Sequence, residues 1–130
     1  MLKIPKALFD SIIEHAQREL PLEACGYVAG VEGEVKRLFP MRNVDASPEH
    51  FSFDPAEQFS AFKEAQKEGL RLIGCYHSHP STPARPSDED IRLAYDSSLS
   101  YLIVSLAKEP VLNSFKIKEG VVTPENIEVI

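Results

Sequence analysis

Leu70-Arg71-Leu72-Ile73-Gly74-Cys75-Tyr76 runs without interruption into His77-Ser78-His79-Pro80. The first seven residues are short, mainly apolar and free of proline, the pattern of a buried strand, so the two histidines stand at a strand end. Downstream, Pro80, Pro83 and Pro86 stiffen an irregular loop, and Ser87 is placed to cap a helix over about residues 87–96. Apolar segments at Leu99–Leu106, Val111–Ile117 and Ile127–Ile130 predict three further strands, with turns near Glu109-Pro110 and Glu119-Gly120. Upstream, Ile4, Leu8, Ile12 and Ala16, flanked by Phe9, Ile13 and Leu20, recur at helical spacing and predict a helix over 5–19, with Pro5 in its first turn and Pro21 ending it. Cys25–Gly30 and Val35–Phe39 read as two strands of a hairpin turning at Glu32-Gly33-Glu34. The alternation of Phe51 and Phe53 predicts another short strand. Asp54-Pro55 then opens a helix, with Glu57 spaced for a capping box and Gly69 at its end. Helices mixed among strands give an α/β or α+β sheet domain with helices packed on it.

A chain of 130 residues matches one domain, so residues 1–130 are read as a single unit. With 43% apolar and 26% charged residues it can build a core, which excludes disorder. Twenty acidic against 14 basic side chains give a net charge of −6, a balance that repels nucleic acid and anionic lipid. No apolar run approaches the roughly 20 residues of a membrane span, and no secretory leader is evident. Cys25 and Cys75 do not suggest a disulfide scaffold, so a reducing cytoplasm is the simpler setting.

In an extended strand His77 and His79 share a face, with Cα atoms roughly 6–7 Å apart, close enough for both imidazoles to meet one metal ion. Cys75 shares that face, but roughly 13 Å of strand separates it from His79, so it is expected in the core. Asp90 lies three residues beyond Ser87, the spacing of an ordinary capping box. A carboxylate presented there also completes a His-His-Asp zinc site with an open fourth position, where bound water becomes a nucleophile at neutral pH. Among the acidic residues, Glu23 stands apart as a general base, because it directly precedes the apolar strand Cys25–Gly30. Ser87 could donate to an oxyanion, although capping alone also accounts for it. His15, on the first helix, and His50 are expected to be structural or exposed.

These residues, Pro21-x-Glu23-x-Cys25-Gly26 followed by His77-Ser78-His79-Pro80, six residues and Ser87-x-x-Asp90, resemble the JAMM motif of the MPN-domain metallopeptidases over almost the whole chain. The resemblance implies a curved, mixed β-sheet flanked by helices, in a layout like that of cytidine deaminases. It implies one Zn2+ held by His77, His79 and Asp90, with Glu23 as the acid/base and Ser87 stabilising the oxyanion. It also implies hydrolysis of a peptide or isopeptide bond after the C-terminal Gly-Gly of a ubiquitin-like protein. The short form is similar to bacterial members that process ubiquitin-like sulfur-carrier proteins. Two alternatives stand beside this: a RadC-like protein, and a docking module that is either non-enzymatic or partner-gated, with a loop such as Met41–His50 able to cover the site until a partner binds. A homodimer stays open as well.

Overall fold

Pro5 has an extended backbone and lies just outside the first helix, α1 (Lys6–Glu19), which buries Ile12, His15 and Ala16. The computed structural model describes residues 1–130. The strands are β1 (Leu2–Ile4), β2 (Cys25–Val31), β3 (Glu34–Met41), β4 (Arg71–His79), β5 (Ser100–Ser105), β6 (Val111–Lys118), β7 (Val121–Glu125) and β8 (Ile127–Val129). Two further helices are α2 (Pro55–Lys67) and α3 (Asp88–Arg92). All eight strands join one mixed sheet in the order β7-β6-β5-β4-β2-β3-β1-β8. This is the expected α+β architecture, a curved sheet flanked by helices.

Side chains alternate across the sheet and so divide the interior in two. On one face Val28, Tyr76, Leu102 and Val104 pack with Ile12 and Ala16 of α1. On the other, Cys25, Ala29, Phe39 and Met41 pack with Ala61 and Ala65 of α2, and Ile103, Phe115 and Ile117 form a smaller cluster with Ala84. Gly26 is required by this packing: a Cβ there would lie 2.4–2.6 Å from ring atoms of Tyr76. The Tyr76 hydroxyl in turn meets His15 Nδ1 at 2.7 Å beneath α1.

Strand direction gathers the polar residues at one edge of the second face. β4 runs antiparallel to β2 with Cys25 opposite His77, so the end of β4 and the start of β2 coincide. β4 then pairs in parallel with β5, and the crossover between them carries the proline loop and α3 over that same end.

Several local expectations need correction. Leu2–Ile4 is a strand paired in parallel with β8, and Ile4 belongs to the sheet rather than to the helical row. Phe51 and Phe53 form no strand, because the neighbouring backbone is satisfied by Asn43 instead of a ladder: Ser52 N donates to Asn43 Oδ1. Asp54 caps α2 through Ala56 N, but Glu57 Oε1 accepts from Arg42 N, so the capping box does not form. The helix over 87–96 stops at Arg92, and Asp96 instead organises a turn by accepting from Ser98 N. The strand β7 has no counterpart among the expected elements; its Pro124 is tolerated because β7 is the sheet's outer edge.

Candidate metal centre

His77 and His79 reach the site from the last turn of the pleat in β4, and both are 5% exposed. Asp90 arrives from the opposite side on α3, whose first turn is built as the sequence suggests: Asp90 N donates to Ser87 Oγ at 3.0 Å and Ser87 N donates to Asp90 Oδ2 at 2.9 Å. The capping box therefore coexists with a second role for the same carboxylate. His77 Nε2, His79 Nε2 and Asp90 Oδ2 form a triangle with all three sides 3.1 Å.

That triangle has a specific fit. A tetrahedral zinc with ligands about 2.0–2.1 Å away spaces them by about 3.3 Å. The His79 Nδ1–H donates to the Pro83 carbonyl at 2.8 Å, which turns Nε2 toward Asp90 and His77; there it can bind a cation through its lone pair or, when protonated, donate to Asp90 Oδ2. Acceptor atoms gathered this closely repel one another unless a cation or a proton lies among them. Burial alone would raise Asp90, yet hydrogen bonds from His77, His79 and the Ser87 amide hold its carboxyl well below the usual range. Burial alone would lower His79, and the bonds to Asp90 and Pro83 overcome that and raise it. The structure thus brings together the three residues singled out in the sequence, as a group that could hold one divalent ion.

Glu23 lies at the start of β2, 4% exposed, and its Oε1 is a buried acceptor with no partner. Burial pushes its carboxyl up to about 8, and the nearby Asp90 adds to the rise while His79 opposes it. A carboxyl desolvated in this way binds a proton readily at neutral pH. Its backbone is fixed on both sides: Glu23 N donates to Ser47 O at 2.9 Å, and Ala24 N donates to Ser78 Oγ at 2.8 Å.

The structure also brings in residues whose part in the site has no signal in the sequence. Phe51 stacks on the His77 ring with centroids 4.7 Å apart and planes 26° from parallel. Beside His77 and Asp90 a cavity of about 370 Å³ opens between α2 and α3, lined by Tyr27, Phe53, Tyr101 and Ile103 among others. Cys75 sits in its wall as a free thiol pushed up to about 12 by burial, outside the ligand triangle. His15 is buried against Tyr76, and His50 is exposed and bonded to Asp45, so neither joins the site.

Residues 5–118 match the family model for prokaryotic homologs of the JAB domain. The chain belongs to this family. Among its JAB relatives, a Mycobacterium tuberculosis protein named CysO-cysteine peptidase is 35% identical over 135 residues, covering 100% of this chain and 92% of the relative. A Thermus thermophilus protein named probable TtuB-protein conjugate cleaving protease is 41% identical over 95 residues, covering 72% of this chain and 64% of the relative. A solved structure from Desulfitobacterium hafniense superposes with a TM-score of 0.91 at 48% identity, covering 100% of this JAB chain and 93% of the other. A JAB1/MPN domain protein from Archaeoglobus fulgidus shares the fold, with a TM-score of 0.70 at 23% identity and coverage of 99% and 97%.

Proposed function

We propose that this JAB-family hydrolase cuts the peptide or isopeptide bond that follows the C-terminal Gly-Gly of a ubiquitin-like sulfur-carrier protein. The observation that carries the reading is the 3.1 Å triangle of His77, His79 and Asp90 beside the unpartnered carboxyl of Glu23. The relatives' names support the substrate class, since one is a CysO-cysteine peptidase and another cleaves TtuB-protein conjugates.

His77, His79 and Asp90 would hold Zn2+, whose preference for nitrogen and carboxylate donors matches this set. The chemistry such an ion would supply is Lewis acidity toward a carbonyl and a water. Glu23 takes that water's proton at its free Oε1 and returns it to the departing amine, so no covalent acyl-enzyme is needed. Ser87 Oγ accepts from Asp90 N, which leaves the hydroxyl proton available for the oxyanion that develops on the carbonyl. His79 stays oriented through Pro83, and Phe51 shields the His77 ring from water. No helix is long and apolar enough to cross a membrane, and two free cysteines accord with action in the reducing cytoplasm.

The test is the intact mass of sulfur carriers bearing C-terminal extensions or conjugated to a lysine, after incubation with zinc-loaded protein and, in parallel, with Glu23→Gln. Mass loss ending at Gly-Gly with the parent protein, and none with the variant, is the expected result. Equal cleavage by both would remove Glu23 from the mechanism, and cleavage of no carrier would remove the substrate class.

A further inference from the structure

Between β3 and α2 the chain makes no regular structure over residues 42–54, yet this segment has a centre. Asn43 is 6% exposed, and its carboxamide is used on both sides. Its Nδ2 faces three carbonyls, donating to Glu23 O at 3.1 Å and His50 O at 3.0 Å, with Ser47 O at 3.4 Å. Its Oδ1 accepts from Asp45 N at 3.1 Å and Ser52 N at 3.3 Å. One side chain thus substitutes for the ladder that this backbone lacks.

The partners of Asn43 adjoin the chemistry. The Glu23 carbonyl is bonded to Asn43 directly, and the Glu23 amide is bonded to the Ser47 carbonyl that Asn43 also faces. His50 and Ser52, held from opposite ends of the same carboxamide, bracket Phe51, whose ring lies on His77. The acid/base and the ring that supports one ligand are therefore set by a residue with no hydrogen bond to the ligand triangle. Ser78 secures the neighbouring Ala24 to β4 from the other side, so Asn43 supplies the loop half of a two-sided clamp on the start of β2.

We propose that Asn43 is the positioning residue that aims Glu23 at the water and seats Phe51 on His77. This rests on the role of Glu23 proposed above. The residues His77, His79 and Asp90 are carried by β4 and α3, to which Asn43 makes no hydrogen bond, so loss of its carboxamide separates proton transfer from metal binding. Asn43→Asp is the informative variant: it keeps the shape and the accepting oxygen but loses the donors to Glu23, Ser47 and His50. Asn43→Ala removes both halves.

Turnover on a cleavable carrier, zinc content, amide hydrogen exchange and histidine ring NMR would be measured on the full chain and each variant, the last two without substrate. With Asn43→Asp, kcat falls on the order of 100-fold, the usual cost of a misplaced catalytic group, while KM and stoichiometric zinc are kept. In the same variant the Glu23 amide exchanges faster and the His77 ring resonances move toward their positions in Phe51→Leu, while those of His79 hold. Ser47→Ala, whose lost hydroxyl accepts only from Glu49 N, behaves as the parent. Parental kcat in Asn43→Asp, or a kcat loss no larger than the loss of zinc or folded protein, overturns the proposal. An unchanged Glu23 amide and His77 ring overturn it even if the parent cleaves no carrier. That last failure would count against the hydrolase reading alone, because the spectroscopic readouts do not depend on it.

Discussion

Replacing Gly26 by alanine tests how tightly the sheet face beneath α1 is packed. The added Cβ would fall 2.4 Å from Tyr76 Cε2 and 2.5 Å from Cζ, where no unbonded carbon can sit, and Tyr76 is 1% exposed with no space to retreat into. Overpacking of this kind costs about 1–3 kcal/mol. Displacing the ring also breaks the buried 2.7 Å contact of its hydroxyl with His15, worth about 1 kcal/mol more. The sum of about 2–4 kcal/mol corresponds, at about 4 °C per kcal/mol for a domain of this size, to a fall in Tm of about 8–16 °C. Urea unfolding followed by circular dichroism reads the same loss as a lower midpoint at unchanged slope. The clash is with the outer ring, so Tyr76→Leu makes room, and in that background Gly26→Ala should cost less than about 1 kcal/mol, a coupling of neighbours in direct contact. A single variant within about 0.5 kcal/mol of the parent, or an undiminished cost in the Tyr76→Leu background, would refute the reasoning.

Further outcomes concern the metal triangle and the core histidine. His77→Ala and Asp90→Ala should each abolish stoichiometric zinc while leaving the fold intact by circular dichroism; full retention of zinc by either variant would show that the ligand set is wrong. Burial holds His15 below its ordinary pKa, so the unfolded chain takes up that proton first as pH falls. The stabilisation by neutral His15 is complete above about pH 6.5 and is lost below it by up to about 1.4 kcal/mol per pH unit, until the folded form also protonates. Urea midpoints of the parent against His15→Gln from pH 7.5 to 5 should therefore converge on acidification, and parallel curves would contradict the assignment.

The proposed metal ligands are legible in the sequence because they are local: His77 and His79 follow from the period of two in a strand, and Asp90 from a cap spacing that survives in the structure. Glu23 is separated from them by 54 residues and is marked only by its place before a strand and by the motif resemblance, since the pairing of Cys25 with His77 that brings it close is a tertiary event. Asn43 and Phe51 carry no such signal. An asparagine in a loop looks the same whether it faces solvent or five backbone groups, and the alternation of Phe51 and Phe53 imitates a strand although Tyr27 and His77 are the surfaces they cover. Leu2–Ile4 and Val121–Glu125 escape a pattern reading for a related reason: strands near a sheet's edge are stabilised by a distant partner more than by their own pattern.

The proposed ion site has two kinds of support. His77 and His79 are fixed by a strand with neighbours on both sides, whereas Asp90 rides on a five-residue helix at the end of a proline loop. If these residues hold a cation as proposed, the two imidazoles would be the half of the site that the sheet assembles, and the carboxylate the half that the loop brings to it, so removing the Ser87 cap would loosen one side of the site and leave the other in place.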